Sequence, residues 1–179
     1  PADIFISANR AHIDALVAAE RARAPRRVAR NTLALIVPSD NPANINTLAE
    51  LTQAQRVVLG TPDSPIGVYA EALLKGHIDN EGRSLNAAIA GRVVSRESNV
   101  RLIRAKVALG EADAAIVYAT DAQNLRSLHS VPLPPNSSQE TSYYGAEVGT
   151  SGMHSNAWWS FLESPAARER LLALGFGAP

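Results

Sequence analysis

Short runs of apolar residues, each followed by a turn and a stretch of helical periodicity, recur along this chain. Such alternation is typical of α/β folds with mainly parallel sheets, because each helix carries the chain back for the next strand. The predicted strands lie at residues 4–6, 31–37, 56–59, 92–95, 114–118 and 143–148, with a weak edge strand near Val131. Ile4-Phe5-Ile6 has the continuous apolar character of an interior parallel strand.

Polar capping residues mark where the intervening helices begin. Asn9 and Asn99 each precede an apolar stripe, and Thr47 with Glu50 forms a capping-box pattern. The charged segment 20–27 is predicted to end the first helix, with Pro25 as the stop. Further helices are predicted at residues 67–74, 99–109, 153–162 and 165–174, and a polar loop at 134–142.

Composition excludes several classes of function. Lys and Arg number 17 against 17 Asp and Glu, so no net charge favours nucleic acid or an acidic membrane surface. Cysteine is absent, which removes disulfides, thiol catalysis and zinc–thiolate sites. No apolar run approaches the roughly 20 residues of a membrane-spanning helix. The four histidines are scattered, and none has the spacing of a metal site.

Three neutral donors are predicted at the carboxyl ends of strands, where parallel α/β sheets collect their ligands. A helix that starts near Pro65 leaves the amides of Ile66 and Gly67 free, and glycine at 67 lets a ligand approach the backbone. A second helix start exposes the amide of Val100, and Tyr118 ends the strand AAIVY with a hydroxyl donor. Converging donors of this kind suit a small oxyanion. Each helix start taken alone is more readily explained as ordinary structure, and Tyr118 is equally well explained as a core residue at a sheet edge.

Catalytic interpretations have less support. Asp63 and Ser64, with His77 further along the chain, allow a hydrolase hypothesis, but Asp and Ser beside prolines are common in turns. Neither a GxSxG nucleophile elbow nor a GxxxxGK phosphate loop is present. The pair Trp158-Trp159 is interpreted as one core and one boundary residue, or as an interaction surface.

Five segments together resemble the periplasmic molybdate-binding proteins of ABC transporters, a family of type II solute-binding proteins. They are PADIFISAN, NTLALIVP, LGTPDSPIGVYAEALL, ESNVRLIRAKVALGEADAAIVYATDA and FLESPAARERLLALGF. The third, fourth and fifth are specific to that family.

The resemblance implies a two-lobed fold and a transport role. Lobe 1 would comprise residues 1–37 and 144–179, lobe 2 would comprise residues 38–143, and strands near 35–40 and 142–147 would connect them. Molybdate or tungstate would bind in the interlobe cleft to the amides of Ile66 and Val100 and to the Tyr118 hydroxyl. The protein would be a monomer in the periplasm or at the outer face of the cell membrane, delivering the ion to a membrane permease. The resemblance implies no enzymatic activity and no cofactor. It also implies no direct coordination of a metal by side chains and no binding of nucleic acid.

The chain also departs from the family pattern. The family begins with a further strand, helix and strand that carry two serine-type ligands, so we expect upstream sequence and an incomplete first lobe. Ala115 stands where glycine is usual. Two alternatives stay open: a binding protein for sulfate or an organic acid, for which Arg96 or Arg101 would supply a guanidinium, and a sensing domain of a transcription regulator.

Overall fold

The computed structural model describes residues 2–123, 126–134, 137, 141–149 and 153–177, and it divides into two compact units. One unit comprises Pro1–Asn31 and Glu140–Pro179, and the other comprises Thr32–Gln139. The predicted lobe ranges 1–37, 38–143 and 144–179 stay predictions. Most of the predicted polar loop at 134–142 lies outside the described residues.

Strands and helices alternate through most of the chain, as predicted. In chain order they are β1 Ile4–Ser7, α1 Arg10–Ala18, β2 Arg23–Asn31, β3 Leu33–Pro38, β4 Val57–Gly60, α2 Pro65–Lys75, α3 Leu85–Ala88, β5 Val93–Glu97, α4 Val100–Ala108, β6 Ala114–Tyr118, β7 Leu128–Val131, β8 Thr141–Glu147, α5 Met153–Leu162 and α6 Pro165–Ala173. Short 3-10 turns lie at Ala49–Gln53, Ala90–Arg92 and Ala119–Asp121. No helix in the described part of the chain combines the length and the apolarity that crossing a bilayer requires.

The unit Thr32–Gln139 is built on a mixed sheet with strand order β5-β4-β6-β3-β7. The predicted parallel pairing is found between β4 and each of its neighbours, β5 and β6. Strand β3 pairs antiparallel with β6 and with β7, which is an edge strand as expected. Every residue of β4 and β6 is buried, because α2 and α4 pack on this sheet.

The other unit contains a smaller antiparallel sheet with strand order β1-β8-β2. Its buried residues form two small clusters, one around Ile13 and Ala146 and one around Val28 and Trp159. Trp159 is 4% exposed and Trp158 is half-buried, which agrees with the interpretation of one core and one boundary residue.

The first strand differs from its prediction. Ile4–Ser7 is not an interior parallel strand: it pairs antiparallel with β8 and lies at the edge of the described sheet. Phe5 and Ile6 are 38% and 40% exposed. A short apolar run cannot distinguish an interior strand from an edge strand, since the pattern contains no information about neighbouring strands.

Strand β2 was not predicted, because five arginines within residues 21–30 hide its periodicity. Its pairing with β8 is irregular between Arg23 and Arg26, and Pro25 lies inside this irregularity. Ala24 there has a φ of 49°. Proline is tolerated at such a point because it removes no regular ladder hydrogen bond.

Candidate functional site

Three adjacent parallel strands end at one edge of the five-stranded sheet. Strand β4 lies between β5 and β6, and Gly60 at the end of β4 is in register with Glu97 at the end of β5. Val58 pairs with Ala115, so β6 continues to Tyr118 at the same edge. The three sequence-predicted positions, Ile66, Val100 and Tyr118, follow or end these strands.

Helix α2 begins five residues after the end of β4, and its first turn has one capped and one uncapped amide. Ser64 is the N-cap, and its Oγ accepts a hydrogen bond from the Gly67 amide at 3.2 Å. Pro65 has no amide hydrogen to satisfy. Within the described chain the Ile66 amide donates to no acceptor, so it is available at the positive end of the helix dipole. The expectation of two free amides therefore holds for Ile66 and is wrong for Gly67.

Gly67 has a packing role at the start of α2. A Cβ at this position would lie 2.0 Å from the Thr61 carbonyl oxygen, because the loop after β4 packs against the first turn of the helix. The Thr61 amide in turn donates to the Glu97 carbonyl at 3.0 Å. The first turn of α2 is thereby held against the ends of both β4 and β5.

Helix α4 repeats this arrangement after β5. Asn99 is the N-cap, and its Oδ1 accepts a hydrogen bond from the Leu102 amide at 3.1 Å. The Val100 amide, at the first helical position, has no acceptor among the described residues. Asn99 is thus the N-cap that the sequence predicted. The cap of α2, Ser64, was not predicted, although a serine directly before a proline at a helix start is its signal.

Tyr118 is the last residue of β6 and is only 7% exposed. Its backbone pairs with Leu33 on β3, and the next amide, that of Ala119, donates to the Thr32 carbonyl at 2.8 Å. The Ala122 amide lies 3.2 Å from the Tyr118 carbonyl oxygen and 3.2 Å from the Ala119 carbonyl oxygen, and the bond to Ala119 closes a 3-10 turn. The backbone at Tyr118 is therefore held by hydrogen bonds on both sides.

Charged side chains also lie along this edge. The Arg96 Nη1 donates to the Gly60 carbonyl at 3.1 Å, and the Arg104 Nη1 donates to the Asp121 carbonyl at 3.4 Å. Burial raises the pKa of the Asp121 carboxyl, while the positive charges of Arg104 and Arg101 oppose that rise. Arg96, proposed for an organic acid ligand, is engaged with the backbone here.

The hydrolase hypothesis does not fit the geometry. Ser64 caps the start of α2, and His77 lies beyond its other end, where the ring Nδ1 is 2.8 Å from the Leu73 carbonyl. An 11-residue helix is about 16 Å long, so the two side chains cannot share a proton. In the described part of the chain no three His, Cys, Asp or Glu residues are grouped as a metal site.

Comparison with known families gives one match over almost the whole chain. The family described as bacterial extracellular solute-binding protein matches residues 1–177.

One protein to which the chain is similar is the molybdate-binding protein ModA of Mycobacterium tuberculosis. It is 34% identical over 123 residues, which cover 68% of this chain and 43% of ModA. The matched segment therefore spans less than half of that relative.

Two solved structures illustrate the fold. The substrate-binding domain of a putative molybdenum ABC transporter from Clostridium difficile has a TM-score of 0.80 at 22% identity, over 100% of this chain and 78% of that one. The sulfate-binding protein SubI of Mycobacterium tuberculosis has a TM-score of 0.77 at 20% identity, over 98% of this chain and 68% of that one. At these identities the similarity establishes the fold alone, and it agrees with the predicted two-lobed binding-protein class.

Proposed function

We propose, because this chain belongs to the bacterial extracellular solute-binding protein family, that it binds a tetrahedral oxyanion, molybdate or tungstate. The ligand would accept hydrogen bonds from the backbone amides of Ile66 and Val100 and from the hydroxyl of Tyr118. The proposed activity is capture and release of the ion, without chemical change to it.

The observation that carries this proposal is the common edge shared by the ends of β5, β4 and β6. Two of the donors are uncapped amides at helix starts, where the backbone already favours negative charge. A doubly charged oxyanion accepts charge-assisted hydrogen bonds, each worth about 1.5–3 kcal/mol net. Neutral donors suit such a ligand because it is ionised at neutral pH and needs no proton exchange.

Molybdate is preferred over sulfate for a reason of size. In a site shaped for the larger ion, sulfate would leave one or more donors without a partner, at about 1–3 kcal/mol each. Tungstate and molybdate have nearly the same size and charge, so neutral donors discriminate little between them. The relative ModA is named for molybdate, which supports this choice.

Delivery to an ABC permease at the outer face of the cell membrane completes the proposed role. It rests on the family and on the Clostridium difficile structure, which is named as part of a molybdenum ABC transporter. Enclosure of the ion between two lobes and a monomeric state stay predictions.

The direct test is calorimetric titration of the native full-length protein with molybdate, tungstate, sulfate and phosphate in separate experiments. We expect one site with similar affinity for molybdate and tungstate and at least about 100-fold weaker binding of sulfate. Equal affinity for sulfate and molybdate would contradict the size argument and favour the sulfate alternative, whose fold precedent is SubI. Absence of binding by all four anions would refute the proposed function itself.

A further inference from the structure

A carboxylate and an ammonium group form an ion pair between β5 and α4, beside the candidate site. The Glu97 Oε1 lies 2.7 Å from the Lys106 Nζ, and the same Nζ donates to the Ser95 Oγ at 3.0 Å. The Glu97 side chain is 16% exposed and that of Lys106 is 33% exposed. The pair is therefore largely withdrawn from water, where a charge without a partner is unfavourable.

Glu97 is the last residue of β5 and lies three residues before Val100. It is in register with Gly60 at the end of β4, and its carbonyl accepts a hydrogen bond from the Thr61 amide at 3.0 Å. Alternate residues of a strand point to the same face of a sheet, so Ser95 and Glu97 share the face on which α4 packs. The carboxylate thus lies at the same end of the sheet as the proposed donors.

The Glu97 carboxyl is ionised in this setting. Hydrogen bonds from Lys106 and Ser95 lower its pKa from the ordinary value of 4.5, and they outweigh burial, which raises it. The edge that is proposed to bind a doubly charged anion therefore contains a negative charge of its own.

A carboxylate in this position competes with an external anion in two ways. It repels a dianion through space, and it is itself attracted to the positive end of α4, where the Val100 amide has no acceptor among the described residues. Lys106 lies six residues after Val100 on the same helix. Its contact with Glu97 therefore holds the carboxylate against the body of α4 and not at its first turn.

The carboxylate of Asp121, which follows β6, is also matched by cations of α4. The positive charges of Arg104 and Arg101 oppose the effect of burial on its pKa, and the Arg104 Nη1 donates to the Asp121 carbonyl at 3.4 Å. The two carboxylates that lie beside the ends of β5 and β6 are thus both compensated from one helix.

We propose that Lys106 is a positioning residue for anion binding that acts through Glu97: it neutralises this carboxylate and keeps it away from the start of α4. The inference rests on the proposed oxyanion site and makes the charge balance of the edge a determinant of affinity for a dianion. An ion pair that merely joins β5 to α4 would contribute to the free energy of unfolding, but anion affinity would not depend on whether Glu97 is charged.

Calorimetric titration of full-length variants with sodium molybdate tests this dependence. Lys106→Met removes the ammonium and keeps an unbranched apolar chain, and we expect molybdate affinity to fall about tenfold, with a smaller loss at high ionic strength. Lys106→Arg keeps the charge and should bind like the wild type. Adding Glu97→Gln to Lys106→Met removes the competing charge and should restore affinity to within about threefold of the wild type.

Lys75→Met is the matched control, because Lys75 forms a 2.7 Å ion pair with Glu71 near the far end of α2 and the charge change is the same. It should leave molybdate affinity unchanged. Urea unfolding of each variant measures stability separately, and Glu97→Gln alone, which leaves no carboxylate unpaired, should bind molybdate at least as tightly as the wild type.

The outcomes distinguish this inference from the proposed function. Failure of Glu97→Gln to restore binding in Lys106→Met, weaker binding by Glu97→Gln alone, or an equal loss in Lys75→Met would overturn the role of Lys106 and leave the oxyanion site standing. Absence of molybdate binding by the wild type would refute the proposed function, and the role of Lys106 with it.

Discussion

At the scale of single residues, two of the three proposed donors are backbone amides, and the side chains of the same residues pack in the hydrophobic core. The Ile66 side chain is 3% exposed and belongs to the hydrophobic core, while its amide is the proposed donor. Val100 packs against the same core. The side chains of Ile66 and Val100 thus anchor the helix starts, and their amides are the proposed donors to the anion. Because a side-chain substitution cannot remove an amide, Tyr118 is the proposed donor that a conservative substitution can remove.

Tyr118→Phe removes the hydroxyl and keeps the ring. We expect molybdate affinity to fall about 10- to 100-fold, because one charge-assisted hydrogen bond is lost. Calorimetry measures the change, and Tyr144→Phe, which removes a hydroxyl in the other unit, is the control. Unchanged affinity in Tyr118→Phe would assign Tyr118 a packing role only.

Gly67→Ala tests whether the start of α2 must touch the loop after β4. The new Cβ would lie 2.0 Å from the Thr61 carbonyl, so helix and loop must separate. We expect a loss of about 2–3 kcal/mol in the free energy of unfolding and weaker molybdate binding. Urea unfolding measures the first effect. Gly91→Ala is the control, since a Cβ there meets nothing within 4 Å; a similar small effect in both variants would show that the contact at Gly67 is dispensable.

At the scale of elements, a capping side chain determines the hydrogen bonding of the first turn in both α2 and α4. Ser64 and Asn99 each accept the amide three positions further on, which leaves an earlier amide in each first turn uncapped. The cap therefore both stabilises the helix and decides which amide remains available for a ligand.

Asn99→Asp separates these two effects. Asp and Asn cap helices about equally well, so the free energy of unfolding should stay within about 0.5 kcal/mol. The added negative charge next to the Val100 amide should weaken molybdate binding about tenfold at low ionic strength, and less at high ionic strength.

The matched control is Asn9→Asp, the same change at the N-cap of α1, where Asn9 accepts a hydrogen bond from the Ala11 amide. It should leave molybdate binding unaltered. If both variants weakened binding equally, the effect would be one of overall charge and Val100 would lose its assigned role.

At the scale of the whole molecule, a buried carboxylate joins the segments that enter the central strands. Asp113, just before β6, accepts hydrogen bonds from the amides of Gln55 and Arg56, just before β4, each at 2.9 Å. The Arg56 guanidinium adds an ion pair at 2.7 Å. Burial raises the pKa of Asp113, but these donors outweigh it and hold the pKa below its ordinary value of 3.8.

The lowered pKa predicts a loss of stability in acid. The contribution of Asp113 is fully present above the pKa of the unfolded chain, near 3.8, and is lost as the pH falls through the lower native value. Asp113→Asn should cost about 1–2 kcal/mol at pH about 6, and this difference should narrow at pH about 3.

Urea unfolding at the two pH values measures this difference. Asp14→Asn, at an exposed carboxylate on α1, is the control and should show a small difference at both. A cost of Asp113→Asn that is independent of pH would contradict the assigned ionisation.

Much of the architecture was predictable from local pattern. The bounds of β6 and α5 agree with the prediction, and α2 and α4 agree within two residues at each end, because apolar period and capping residues are short-range signals. Strand β2 and the position of β1 were not predicted. The arginines of β2 are accommodated at a sheet edge, and edge position is a property of the assembled sheet.

The sequence by itself determined which residues form strands and helix starts, and thereby which amides and which hydroxyl are candidates for an anion. Only the tertiary structure decided that β5, β4 and β6 are neighbours and that Gly67 serves packing. Local signals act over a few residues along the chain, whereas these placements depend on contacts between segments far apart in it.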